Sequence, residues 1–282
     1  AAAGARDGGY ILTEAGFGSD MGLERFVDLK CAVSGMHPSV AVVVVTIRAL
    51  KAHCGRHRLV SGKDLPEEML QENVEDVRDG AANLLKHLQI VRGFGITPVV
   101  AVNVFPTDHD SEIEEVRRIA HDAGARVAVC HPVTRGGEGC LDLAGAVVEA
   151  CQDVGEPVST RPAYEPQDDL RTKVAKLAAL YGADGVDYTP AASRLLDAYE
   201  RDGFGDLPVI VAKTPLSLSA EPGRKGVPTG WRLPVREVRL AAGAGYVYAI
   251  CGSLSTMPGL SSYPAAERID VDVDTGEIVG LR

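Results

Sequence analysis

The chain has 282 residues, 45% of them hydrophobic and 24% charged, with a formal net charge of -10 and a pI near 5.2. That is enough apolar material for one large core or two smaller ones. The acidic balance argues against a general nucleic-acid binder, and no apolar run has the length of a membrane span. The six cysteines form no Cys-x-x-Cys pair. A chain of this size does not depend on disulfides, so the expectation is a reduced, cytoplasmic setting. The opening AAAGARDGG lacks the apolar centre of a secretory signal and reads as the interior of a longer protein.

Tyr10–Thr13 reads as a short strand running into the turn Gly16-Phe17-Gly18. Ser19–Ser34 follows as a helix, with Ser19 or Asp20 as N-cap and Gly35 as stop. The run VAVVVVTI (Val40–Ile47) is uniformly apolar and β-branched, which predicts a central parallel strand covered on both faces. Pro66 to about Val91 reads as one helix, acidic at its start and basic towards its end. Further strands are expected at Thr97–Asn103 and Arg126–Cys130, with helices at Ser111–Ala123 and Leu141–Gln152. This alternation predicts an α/β fold around a parallel sheet.

Gly155–Asp169 is rich in Pro and charge and divides the chain into regions 1–155 and 156–282. Beyond it come a helix (Leu170–Leu180), a short strand around Val186 and a helix (Ala191–Asp202). Strands follow at Leu207–Lys213 and Tyr246–Gly252, and Arg232–Leu240 fits either strand or helix. IDVDVDTGEIVGLR alternates as a terminal hairpin with Thr275-Gly276 in its turn.

Open parallel sheets bind ligands beyond the carboxyl ends of their strands. Two of those ends carry an isolated aromatic in an aromatic-poor chain, Phe17 between glycines and Phe105 before Pro106. A flat heterocycle could lie against such rings; the plain alternative is that each Phe plugs the top of the core. Asn103 offers both a donor and an acceptor to a nucleotide base, or else caps a turn. Gly136–Gly139 opens a helix without the Gly-Lys-Ser/Thr of a phosphate loop. SGKD at Ser61–Asp64 has the Gly-Lys but neither the upstream Gly nor the Ser/Thr, so the chain holds no Walker A motif. His53-Cys54-Gly55-Arg56-His57 lacks a second ligand pair at zinc spacing, and no metal site is assigned.

YILTEAGFGSDMGLERFVDLKC, VVVVTIRALKAH, VVAVNVFPTD, GGEG, YGADGV, GFGDLPVIVAKT, VREVRLAAGAGY, STMPGL and PAAERIDVD…GEIVGL together resemble formate–tetrahydrofolate ligases, in order, from about Tyr10 to the C-terminus. The resemblance implies a P-loop NTPase-like parallel sheet flanked by helices, with a second α/β subdomain. It implies an ATP-dependent joining of formate to tetrahydrofolate through formyl phosphate, with Mg2+ accompanying ATP, activation by a monovalent cation, and a homo-oligomer. Phe17, Gly22, Phe105 and Pro106 match the family's folate-binding positions. Asn103 and the loop of Pro258, Gly259 and Leu260 match the region expected to hold adenine. Val133 stands where the family has a folate-stacking Trp, and Ser261 where it usually has Pro. The family is about twice as long. The half that carries Walker A and the Arg that engages formyl phosphate has no counterpart here, so no catalytic residue is assigned to this chain. By itself it is not expected to transfer a phosphoryl group, which depends on positioned charge. The complementary half or a partner chain would supply that loop. The alternative within this resemblance is a non-catalytic folate- or nucleotide-binding or regulatory protein derived from the ligase.

Overall fold

The structure, a computed structural model, describes residues 9–57, 59, 65–155, 159–252, 267, 269–275 and 278–279. Ala1–Gly252 form one compact unit and Ser253–Arg282 a second.

The predicted strand at Tyr10–Thr13 does not form. Those residues have no regular structure, and Leu12 is 86% exposed; among the described residues no strand offers them a ladder partner. From Ser19 the chain is helical to Ser34, as the sequence predicts, but Ser19–Leu23 and Phe26–Cys31 are wound as π-helix before α1 (Ala32–Ser34). Gly35, at φ 67, supplies the left-handed stop.

The first sheet contains β1 (Val40–Val45), β2 (Thr97–Asn103) and β3 (Arg126–Cys130), all parallel in the order β1-β2-β3. Among the described residues, three helices lie between β1 and β2: α2 (Ile47–His53), α3 (Glu67–Leu70) and α4 (Val74–Gly93). Between β2 and β3 runs α5 (Asp110–Asp122); α6 (Pro132–Arg135), a 3-10 turn (Gly136–Cys140) and α7 (Leu141–Val154) follow β3. Val45, Val100 and Val102 pack with Leu50, Val77, Leu84 and Leu88 of α2 and α4 and with Val116 and Ala120 of α5.

Two expectations are corrected in this half. β1 is an outer strand, not a central one. Its alternate residues Val42 and Val44 are exposed, so one face stays open although the run is uniformly apolar. The helix expected over Pro66–Val91 is two helices. The Lys51 ammonium takes the carbonyls of Met69 and Gln71 at 3.0 and 2.6 Å, which ends α3. The Asn73 side chain then accepts from the amides of Glu75 and Asp76 and starts α4 afresh.

The later residues of this unit form α8 (Leu170–Tyr181), β4 (Val186–Tyr188), α9 (Pro190–Arg201), β5 (Val209–Ala212), β6 (Leu233–Ala241) and β7 (Tyr246–Cys251). Their sheet has the order β4-β6-β7-β5 and is mixed, because β6 and β7 pair antiparallel across a tight turn. The segment left open between strand and helix is β6: Leu233, Val235 and Val238 are buried while Pro234 and Arg236 face out. Val27, Ile90, Val91, Phe94, Ile96 and Leu218 form an apolar seam, with Ala163 and Leu180 against it, joining the two sheets' surroundings. In the second unit, β8 (Asp270–Val271) pairs antiparallel with β9 (Ile278–Val279). Gly276, expected in that turn, lies outside the described residues.

Near the seam, Asp28 is 2% exposed. One carboxyl oxygen accepts from the Ala163 amide at 2.8 Å and the other has no partner. Burial pushes its pKa up to about 7. A carboxyl whose folded pKa is raised holds its proton more tightly in the native state, so the stability it contributes is present below pH 4 and is lost as pH rises through 7. Asp28→Asn keeps the acceptor and removes the titration. Thermal melts of parent and variant between pH 5 and pH 8.5 are expected to show the parent losing ground as pH rises. A constant difference would mean that Asp28 does not titrate there.

Candidate functional site

The first sheet presents its strand ends together, with Val45 beside Val102 and Asn103 beside Cys130. Beyond β1, the Thr46 hydroxyl accepts from the Ala49 amide and caps α2, which carries Arg48. Beyond β2, a tight turn is closed by Asp108, whose carboxylate accepts from the Phe105 amide at 2.8 Å. Burial raises the Asp108 pKa, and the Phe105 amide and Arg48 oppose that rise. Phe105 is half-buried and Pro106 exposed. The Arg48 guanidinium lies over the Phe105 ring, 3.6 Å from its centroid, and reaches Thr107 Oγ1 at 3.4 Å. Arg48 Nε and Asn103 Oδ1 are buried without a partner.

Beyond β3, the His131 amide donates to Gly139 at 2.9 Å and closes a loop that carries Val133, which is 54% exposed. A cavity of about 290 Å3 opens there, lined by Val129, His131, Arg135, Glu138, Leu141 and Asp142 among others.

Phe17 is 64% exposed and sits at φ 66, the left-handed region. That conformation costs of order 1–3 kcal/mol for a bulky residue and persists only where the surroundings enforce it. The flanking glycines therefore act differently from the sequence expectation: the left-handed residue is Phe17 itself, and Gly18 is extended. A Cβ on Gly18 would lie 2.6 Å from Asp20 Oδ1 and 2.8 Å from His87 Cε1. A Cβ on Gly22 would lie 1.9 Å from the Gly16 carbonyl oxygen. The close approach that Gly22 permits in this structure is thus between two segments of the chain itself.

The helix after this turn is anchored on three sides. Ser19 Oγ meets His87 Nδ1 at 2.7 Å. The Lys213 ammonium donates to Asp20 Oδ2 at 2.5 Å and to the Ser217 carbonyl at 2.7 Å. Arg25 donates to the Val211 carbonyl. Burial pushes Lys213 down, with Asp20 opposing. Glu24, fully buried, is pushed well up by burial and by Asp28.

Two other polar clusters have structural partners. Lys51 pairs with Glu112 at 2.5 Å, both buried. Cys54, His57 and Asp76 place ligand-type atoms within 4.8 Å of one another, a grouping sequence spacing did not show because Asp76 comes from α4. The Asp76 oxygens there are taken by His57 Nε2, at 2.7 Å, and by Arg56.

Of the sequence-derived candidates, Asn103 ends β2, Phe105 and Pro106 lie just beyond it and Val133 beyond β3, while Phe17 and Gly22 lie at the start of the π-helical segment. Among the described residues neither Phe17 nor Phe105 is in a ring pair; that contact is between Tyr246 and Tyr248. Pro258, Gly259, Leu260 and Ser61–Asp64 lie outside the described residues. Arg48, His87 and Lys213 carry no role in the sequence reading, and Asp20 only that of an N-cap alternative to Ser19, which neither takes: the N-cap is Gly18, without a side-chain cap. Arg48 alone had a sequence signal, a cation directly after a β-branched run.

The sequence matches the profile of the formate–tetrahydrofolate ligases over residues 1–282. It is 56% identical over 275 residues to the formate–tetrahydrofolate ligase of Cutibacterium acnes, covering 97% of this chain and 48% of that protein. It is 58% identical over 273 residues to that of Saccharopolyspora erythraea, covering 96% and 48%. It is 50% identical over 285 residues to formate–tetrahydrofolate ligase 3 of Rubrobacter xylanophilus, covering 99% and 50%. The chain spans about half the length of the curated relatives it matches.

Proposed function

The chain belongs to the formate–tetrahydrofolate ligase family, and on that premise we propose that it supplies the tetrahydrofolate-binding part of this ATP-dependent ligation. In the complete reaction, ATP, formate and tetrahydrofolate give 10-formyltetrahydrofolate, ADP and phosphate through formyl phosphate. Phe17 on one side, and Phe105 with Pro106 on the other, form the walls of the slot for the flat part of the folate. Val133 occupies the place of a third, aromatic wall. The walls hold the ring system by apolar burial and stacking, and so present its nucleophilic nitrogen to the formyl donor. Asn103 faces the adenine. Phosphate and Mg2+ are held by the part of the ligase that this chain does not contain, and no residue here is assigned to Mg2+ or to a monovalent cation. We place the reaction in the cytoplasm and in a homo-oligomer; no helix among the described residues is long and apolar enough to cross a membrane.

The observation that carries this reading is Phe17: a large ring held outward, in a left-handed conformation, by a turn packed on its own glycines. A core plug would be buried and unstrained.

The test is a calorimetric or fluorescence titration with tetrahydrofolate, with and without the complementary half. Stacking on one ring contributes roughly 0.5–1.5 kcal/mol beyond burial, so Phe17→Ala is expected to weaken binding by at least about twofold to tenfold. Val133→Trp is expected to strengthen it. A folded Phe17→Ala protein that binds as the parent does would remove Phe17 from the site.

A further inference from the structure

We propose that Arg48 is a ligand-binding residue whose guanidinium receives an oxyanion of the molecule lying against Phe105. The proposal rests on the reading of Phe105 and Pro106 as a ligand wall, and it concerns a group that this reading does not use.

Arginine carries five N–H donors in a planar fork. Arg48 spends one of them on a long contact, 3.4 Å to Thr107 Oγ1, and its buried Nε has no partner. A buried donor left unmade is costly, and such a group in a folded protein calls for a partner. No carboxylate comes within ion-pair distance of Arg48 among the described residues. Asp108 feels its charge, yet that carboxylate is turned to the Phe105 amide. The other cation near this edge, Lys51, is committed to Glu112. Arg48 is therefore a half-buried cation with a buried, unpartnered Nε and no carboxylate partner among the described residues, at the carboxyl end of a parallel sheet, where ligands bind.

Its placement is specific as well. The guanidinium, 3.6 Å from the ring centroid, covers one face of Phe105. A flat ligand must use the ring's other face or its edge, with the guanidinium fixed beside it. A stacked guanidinium is preorganised and recognises oxyanions by paired hydrogen bonds, which a lysine cannot reproduce. Asn103 Oδ1, buried and unpartnered at the same edge, adds an acceptor for a ligand N–H or O–H.

Among the substrates, the glutamyl carboxylates of the folate, formate and a phosphoryl group carry this chemistry, and only the first belong to the molecule placed against Phe105. Calorimetry on the chain, with and without its complementary half, can separate them with four probes: tetrahydrofolate, tetrahydropteroate (which lacks the glutamate), formate and ATP. Arg48→Gln is expected to lose about tenfold to a hundredfold in affinity for the probe that carries the oxyanion, the scale of a charge-assisted hydrogen bond. Arg48→Lys is expected to recover only part of it. If the glutamyl carboxylate is the partner, the loss appears with tetrahydrofolate and vanishes with tetrahydropteroate; a loss with formate or ATP alone overturns the placement of the oxyanion on the molecule against Phe105. A folded Arg48→Gln protein that binds every probe as the parent does overturns the proposal, even where Phe17→Ala weakens folate binding and the folate reading stands. A parent chain that binds none of the probes even together with its complementary half overturns both.

Discussion

Replacing Lys213 with methionine is expected to destabilise the protein by about 3–5 kcal/mol, the usual cost of leaving one member of a buried ion pair alone. Lys213 is 1% and Asp20 5% exposed. Methionine fills nearly the same volume, so packing changes little. It removes the donor to Asp20 Oδ2 and to the Ser217 carbonyl, and strands the carboxylate. Asp20→Asn combined with Lys213→Met should recover much of the loss, since the stranded charge, more than the lost attraction, dominates the single variant. Urea denaturation of the parent, both single variants and the double variant gives the coupling. A loss below about 1 kcal/mol in Lys213→Met would mean that the pair is solvated in solution. Asp20 also lies two residues from the Phe17 turn, so the folate titration should be run on any variant that folds.

Strands β2 and β3 were legible in the sequence to the residue, because each is a short β-branched run bounded by turn residues. β1 was legible as a strand but drawn two residues too long, since Thr46 caps α2 and Ile47 begins it, and it was misplaced in the sheet. Its six consecutive apolar residues say nothing about how many strand neighbours it has, which only the sheet order shows, nor about which face is covered, which only the exposure of Val42 and Val44 shows. The break between α3 and α4 was hidden for a related reason: the group that takes the Met69 and Gln71 carbonyls is Lys51, 18 and 20 residues upstream, and no local pattern announces it. At the candidate site, the glycines around Phe17 signalled an unusual bend but not which residue carries the positive φ. Asp20 and Lys213 are far apart in sequence and meet only through the fold. Arg48 stood in view after β1; its stacking on Phe105 depends on the parallel pairing that sets β1 beside β2.

Gly22→Ala is expected to damage both stability and folate binding, while Gly16→Ala, in the same turn, should do neither. An added Cβ at Gly22 would stand 1.9 Å from the Gly16 carbonyl oxygen and 2.7 Å from its carbon. Those are backbone atoms, which cannot swing aside as a side chain can. Either the helix start or the Gly16-Phe17-Gly18 turn must shift, and overpacking of this kind costs typically about 1–3 kcal/mol. At Gly16 a Cβ meets nothing within 4 Å, and the backbone is not left-handed there. The two substitutions add the same methyl group, so composition and side-chain entropy cancel in the comparison. If the turn holds Phe17 outward for a ligand, Gly22→Ala lowers tetrahydrofolate affinity at least as much as Phe17→Ala does, because the ring is displaced rather than trimmed. Chemical denaturation measures the stability cost and the titration measures the binding cost. Equal behaviour of Gly16→Ala and Gly22→Ala in both measurements would show that the turn is not packed against the helix in solution. Phe17 would then owe its left-handed conformation to something other than the contact between Gly16 and Gly22.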